Sequence, residues 1–385
     1  MLVPFAESDV NVESINPFAG LEEFNEPAEG GPNKATSVSH TTMFLRLFET
    51  AMWRDIHQVS GTYWSKDLNG DDIQVSGKLM YPKDGKIKNL IIVSHYTIGA
   101  QSESPSESFN PEGLFATMGY AVAIADYIGY GVTSDRIHPY LQSRTTAQNV
   151  IDMGLASRAL LKERGLQCES DSVILCGYSQ GGATTMYVQY MLENELTGLF
   201  NIKKNYAGAG PYDIARTYDY SVEKDITGIP CAIPLIIQGM SIGMSKPLEM
   251  SYFFRGSLLD HYDDWLNSKR YTVKQINTLI GCYSLKQLLT EDARDKSKSE
   301  TMRFYKELQQ NSLPKLFAPV APVYMFHSED DDTVPFLNSQ ILQKQFRELE
   351  EQVGLHSYVT YDFDYYGPHT NGAIKFIFKV AGLLD

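Results

Sequence analysis

After Gly85 the chain settles into short apolar runs separated by helix-length segments. Runs that are continuously apolar, rather than alternating, mark strands buried on both faces, as in a parallel sheet covered by helices. The pattern predicts strands over 89–94, 120–126, 172–177, 201–207, 322–327 and 357–361, and helices over 111–118, 145–164, 181–193, 336–353 and 371–383. Such regular alternation implies right-handed crossovers and one continuous sheet.

Two stretches break the rhythm. Between the strand ending near Ala207 and the one starting at Pro322 lie about a hundred residues, 212–316, too many for a structureless loop. The parts 260–266 and 301–310 are helix-prone, so this stretch is expected to be an inserted α-helical cap. At the other end, 1–40 carries seven carboxylates before the first basic residue, Lys34, with Pro and Gly clusters, and is expected to be an extended arm. Helical spacing of Met43, Leu45, Leu47, Phe48, Met52 and Ile56 predicts an amphipathic helix over 41–58. Segments 61–65 and 73–81 flank Asn69-Gly70 and read as a β-hairpin. The division that follows is an arm (1–40), an α/β core (41–211 and 317–385) and a cap (212–316).

Composition narrows the function. A chain of 385 residues with 43% hydrophobic content can bury a large core, and a net charge of −14 without any basic run argues against a nucleic-acid partner. The four cysteines show no metal-like spacing; Cys176 reads as a small buried hydrophobe, while Cys231 and Cys282 are near enough in sequence to pair in an oxidising compartment. No basic-then-apolar leader opens the chain, and the longest apolar stretch, 228–244, is broken by Pro230, Pro234, Gln238, Gly239 and Gly243, so no membrane span is expected.

The sharpest chemical signal is Val173-Ile174-Leu175-Cys176-Gly177-Tyr178-Ser179-Gln180-Gly181-Gly182, an apolar strand running through G-x-S-x-G into a helical pattern. A turn this sharp strains the serine backbone and needs neighbours without a Cβ, and it lifts the Ser179 hydroxyl above the sheet edge. The alternative is an ordinary Gly-rich strand-to-helix turn. A serine hydroxyl is a poor nucleophile unless an imidazole takes its proton and an acid orients that imidazole. Downstream, the strand ending at His327 leads into Ser328-Glu329-Asp330-Asp331-Asp332-Thr333-Val334-Pro335, which supplies four carboxylates, although a merely solvated acidic loop would look similar. Calcium-loop spacing is missing from it. Of the eight histidines only His356 and His369 follow; His356 opens a strand, whereas His369 lies in the loop Tyr365-Tyr366-Gly367-Pro368-His369-Thr370 and is the expected general base. An oxyanion needs N–H donors, one being Gln180, the residue after the nucleophile.

Together these motifs resemble the α/β-hydrolase superfamily over 89–385, with a mostly parallel sheet flanked by helices. Asp126-Tyr127-Ile128-Gly129-Tyr130-Gly131, then His138-Pro139-Tyr140-Leu141, then Gly-Tyr-Ser-Gln-Gly-Gly, are similar to the secretory lipase and esterase branch, which includes Candida lipase A-like enzymes and plant-wall esterases of the Xanthomonas LipA type. The resemblance implies a carboxylic-ester hydrolase without a cofactor or metal, secreted or periplasmic, acting through an acyl-enzyme on a small-molecule, lipid or plant-wall ester. It selects Asp331 as the acid, four residues before Pro335 as in G-x-x-D-x-x-V-P, with Ser328 in place of the glycine. It also puts the second oxyanion donor in His95-Tyr96-Thr97-Ile98-Gly99, where Tyr96 replaces a common glycine and the Thr97 N–H is preferred to that of Tyr96. The Asp126 to Gly131 loop and His138 are expected either to form the floor of the site or simply to pack as a turn and a core histidine. The apolar stretch 233–242 is expected either to line an acyl pocket or to pack the interior of the cap. The competing functions are a prolyl oligopeptidase-like peptidase, for whose propeller the chain has no room, and a hydrolase-fold binding protein that has lost catalysis.

Overall fold

Strands β4 (Leu90–Ser94) and β5 (Ala121–Ala125) expose no residue on either face, as their unbroken apolar sequences require. They lie inside a nine-stranded sheet of order β1-β2-β3-β5-β4-β6-β7-β8-β9, completed by β1 (Val3–Val10), β2 (Ile56–Lys66), β3 (Asp72–Pro82), β6 (Ser172–Tyr178), β7 (Asn201–Gly208), β8 (Val323–Ser328) and β9 (Val359–Asp364). The pairs from β5 through β9 are parallel and those among β1, β2, β3 and β5 antiparallel. This is the α/β-hydrolase architecture. The computed structural model describes residues 1–12 and 53–384.

Both faces are covered. Helices α1 (Leu114–Thr117) and, later, α10 (His369–Leu383) pack in one apolar layer with β4, β5, β6 and β8. Helices α2 (Ser143–Glu163), α3 (Gln180–Asn194) and α9 (Leu337–Val353) lie in the other. With each buried Leu, Ile or Val worth about 1.5–3 kcal/mol, these two layers dominate stability.

At the N-terminal end, Val3–Val10, within the expected extended arm, is an edge strand paired antiparallel with β2 from Val3↔Thr62 to Val10↔Ile56. Its carboxylates meet side chains of the core: Glu7 meets His57 and Arg164, and Asp9 meets His57 and Lys83. The helix expected over 41–58 cannot extend to its end, because Ile56, His57 and Gln58 are paired with β1 on one side and β3 on the other. Ladder bonds on both sides satisfy the backbone that a helix would have bonded internally. The rest of that expected helix and of the arm, 13–52, lies outside the described residues. The hairpin around Asn69-Gly70 is β2–β3, with Gly70 at φ +84°.

Between β7 and β8 the chain is helical, with α4 (Ile214–Lys224), α5 (Ala232–Gly243), α6 (Gly256–Asn267), α7 (Val273–Ile280) and α8 (Ser299–Asn311). These share an apolar cluster of their own, into which Tyr140 and Leu141 insert. In α5, Ile233, Leu235, Ile236, Ile237 and Met240 all pack in that cluster, and the helix presses on the core where Gly239 meets the Tyr140 backbone. Cys231 and Cys282, expected as a possible pair, are free thiols: Cys231 is buried, while the Cys282 thiol donates to Gln287 Oε1 at 3.1 Å. Among the described residues no helix is long and apolar enough to cross a membrane.

Lys269, just after α6, is a liability of this helical layer. It is 6% exposed, has φ +56°, and its ammonium donates to Leu266 O and lies over the Tyr130 ring. Burial pushes that ammonium down from 10.5 to about 8. A cation with a lowered pKa binds its proton more weakly in the folded than in the unfolded state, so the charge destabilises by about 3 kcal/mol at neutral pH, and the loss fades between about 8 and 10.5. Lys269→Met should therefore raise Tm by a few degrees at pH 7, with the gap to the parent shrinking by pH 10. Thermal unfolding at both pH values checks this; a gap independent of pH would refute it.

Candidate active site at the carboxyl edge of the sheet

Ser179 stands between β6 and α3 with φ +60° and ψ −123°, a strained region for a residue with a Cβ. The flanking glycines explain how the turn closes. A Cβ on Gly177 would lie 2.2 Å from Gly181 O, one on Gly181 1.9 Å from Ser94 O, and one on Gly182 2.1 Å from Gly208 O. All three obstacles are backbone, so α3 sits directly on the ends of β4 and β7. Gly181→Ala should destabilise the fold by about 3 kcal/mol or more and abolish the turn geometry. Thermal unfolding and the labelling rate of Ser179 by a fluorophosphonate would report it; parent-like values of both would contradict the packing argument.

From Ser179 a chain of hydrogen bonds runs inward. The hydroxyl lies 2.7 Å from His369 Nε2, and His369 Nδ1 lies 2.6 Å from Asp331 Oδ2. With Nδ1 donating to the carboxylate, Nε2 is left to accept from the serine. The other carboxylate oxygen, Asp331 Oδ1, accepts the N–H groups of Thr333 and Val334 at 2.9 and 2.8 Å, which locks the acid's direction. Burial alone would raise the Asp331 carboxyl, but His369, with His327 beside it, outweighs this and holds it well below the usual carboxylate range. For His369, burial pulls the imidazole down while the Asp331 charge and hydrogen bond, helped by Asp332, win and leave it raised.

Two other carboxylates of the acidic loop, Asp330 and Asp332, have other partners. Asp330 Oδ1 accepts from Gly367 N and from the Ser328 hydroxyl, and Asp332 Oδ1 accepts from His369 N. The Ser328 hydroxyl, standing where a glycine is usual, also accepts from Tyr366 N. These bonds moor the histidine turn to the acid turn. His356 stays away from the site, exposed and bonded to Glu350. His369, expected in a loop, is instead the first residue of α10, with Pro368 before it and Asp332 Oδ1 accepting its N–H.

Gln180 opens α3, so its N–H has no acceptor within the helix and adds to the positive end of the helix dipole. Thr97 is buried, and its hydroxyl is 2.7 Å from that of Tyr140. The Asp126 to Gly131 loop is structural: Asp126 accepts from Ser76 and Ser106, and a Cβ on Gly131 would collide with both the Ser76 hydroxyl and the Asp126 carboxylate. Two buried histidines carry contacts that sequence reasoning missed. His327, on β8, lies 3.5 Å from Asp331 Oδ2 and bonds Ser339, and His138 touches the Gln180 side chain. The one available clue for His327 was its position at the end of an apolar strand leading into the acidic loop.

Ser179, lifted above the sheet edge as expected of this turn, is nonetheless covered. It is 8% exposed and His369 3%, because the helical layer lies against the loops beside them: Gly228 packs on Asp332 and Thr333, and Tyr271 and Val273 pack on Gly99. The open cleft of about 740 Å³ lined by Lys203, Lys204, Tyr206 and Tyr358 is at the opposite, amino-terminal edge of the sheet and plays no part in this chemistry.

Comparison with known proteins agrees with the fold. The family model described as secretory lipase matches residues 114–373, more than half of the chain. The chain belongs to the secretory lipase family. Family membership makes it a lipase- or esterase-type hydrolase. Among solved structures it is similar to the rice cell wall degrading esterase LipA from Xanthomonas oryzae, with a TM-score of 0.74 and 22% identity, covering 90% of this chain and 92% of that one. A putative hydrolase from Legionella pneumophila gives a TM-score of 0.75 at 20% identity, covering 89% and 94%. Candida antarctica lipase A in its closed state gives 0.59 at 14% identity, covering 82% and 73%. Among curated protein sequences none matches.

Proposed function

We propose that this family member is a serine carboxylic-ester hydrolase in which Ser179 is the nucleophile, His369 the general base and Asp331 the orienting acid. The observation that carries the proposal is the unbroken chain Ser179 Oγ to His369 Nε2 to Asp331, at 2.7 and 2.6 Å. His369 Nε2 takes the hydroxyl proton as Ser179 Oγ attacks the ester carbonyl, and the oxyanion is received by the N–H groups of Gln180 and Thr97. Collapse of this intermediate breaks the ester bond, and the proton on Nε2 passes to the leaving alkoxide, which departs as the alcohol. Water then attacks the acyl-serine with His369 again as base, releasing the acid and restoring Ser179. No step needs a metal or cofactor.

The helices between β7 and β8 act as a cap in this reading, and an ester reaches the enclosed serine when that layer moves aside. The family's secretory character supports an exported enzyme, periplasmic or extracellular.

The test is direct. A fluorophosphonate should form a Ser179 adduct visible by mass spectrometry, and nitrophenyl esters should turn over while Pro-containing amides do not. Absence of the adduct in folded protein would favour a silent binding protein, and turnover of amides alone would favour a peptidase.

A further inference from the structure

The proposed oxyanion donors come from separate elements, Gln180 from the start of α3 and Thr97 from the loop after β4. A short turn contacts the side chains of both. His138 Nε2 lies 3.1 Å from Gln180 Nε2, and two residues on, the Tyr140 hydroxyl lies 2.7 Å from Thr97 Oγ1. We propose that His138-Pro139-Tyr140 is a brace that fixes the two N–H groups relative to each other, with His138 and Tyr140 as positioning residues for the oxyanion. This rests on the function proposed above and goes further by assigning residues that never touch substrate.

On the His138 side the hydrogen-bond directions follow from the partners. Ile128 O can only accept, and it lies 2.7 Å from His138 Nδ1, so the imidazole carries its proton there. Burial, with the charge of Lys269, pushes His138 down to about 3, so the ring is neutral and has no second proton. Nε2 is therefore an acceptor, and the Gln180 amide must present its NH₂ group to it. Gln180 is 1% exposed and its Oε1 has no partner, so among the described residues His138 is what fixes this amide's orientation.

The brace is itself rigid. Tyr127, Tyr130 and Tyr140 surround the His138 ring at centroid distances of 6.1, 5.1 and 5.8 Å. A Cβ on Gly129 would come within 2.6 Å of His138 Cα, so the turn is packed hard against the loop after β5. Tyr140 N donates to His138 O, closing the turn. The Tyr130 hydroxyl bonds Ile98 O, which ties the same aromatic group to the Thr97 loop a second time.

An oxyanion donor is worth about 10²–10³ in kcat, and a small displacement forfeits part of that. Tyr140→Phe removes only the hydroxyl and should lower kcat about 10-fold with KM within about twofold. His138→Ala should lower kcat by about 10–100-fold, and His138→Gln, whose amide can both donate to Ile128 O and accept from Gln180, should recover part of that loss. Affinity for a boronate that mimics the tetrahedral intermediate should fall in step with kcat/KM. An unchanged kcat in Tyr140→Phe, or a His138→Gln variant no more active than His138→Ala, overturns the brace. Ser179→Ala in the same series separates the two levels: if it retains activity, the reading of the site fails, whereas an inert Ser179→Ala beside a fully active Tyr140→Phe removes the brace alone.

Discussion

Ser179→Ala should reduce turnover of nitrophenyl esters by about 10⁶-fold while leaving the folded state intact. Among the described residues the hydroxyl is the one nucleophile on the His369 imidazole, and its removal leaves a methyl group in a turn already built for a Cβ at φ +60°. His369→Ala should fall nearly as far, because among the described residues no other imidazole bonds Ser179 Oγ: His138 is committed to Gln180 and Ile128, and His327 to Ser339 and Val334. The double variant should be no worse than either single one, since the two groups act as a unit. Activity assays beside thermal unfolding measure both quantities; wild-type turnover in a pure, folded His369→Ala sample would refute the assignment.

Asp331→Asn should lower kcat by about 10⁴-fold and also shift its pH dependence. An asparagine at this position can present its NH₂ to Nδ1 and so favour the tautomer that points a proton at the serine, which disables the base. His369 works as a base only when neutral, so activity falls as pH drops through its pKa. Burial lowers that pKa and the Asp331 charge raises it, with the raising effect dominant in the parent. Without the carboxylate the opposing burial remains, and the acid limb of the residual activity should move to lower pH. A limb that stays in place or moves upward would show that Asp331 is not the charge controlling His369.

The sheet was legible because its central strands are short, wholly apolar and separated by helices, and that pattern arises locally from burial on both faces. The same holds for the turn at Ser179, since a strand, two glycines and a helix are contiguous in the chain. The edge strand Val3–Val10 was illegible for the opposite reason. It is mostly exposed, and its place is decided by the free edge of β2 and by His57, Lys83 and Arg164, all distant in sequence. The histidine turn was anchored in a way the sequence could not announce, because Asp330 and Asp332 accept backbone N–H groups 37 residues away.

By itself, then, the sequence determined the fold class, the nucleophile candidate and the order in which acid and histidine follow it, since each depends on residues adjacent in the chain. Asp331 was picked out among four neighbouring carboxylates by the family pattern, but only the tertiary structure brings it to face the imidazole, carries His369 190 residues back to Ser179, and encloses Ser179. It alone joined His138 to Gln180 and Tyr140 to Thr97, across 42 and 43 residues. The division follows from geometry: periodicity and turn chemistry are properties of a few consecutive residues, whereas a hydrogen bond between side chains depends on where the whole sheet delivers them.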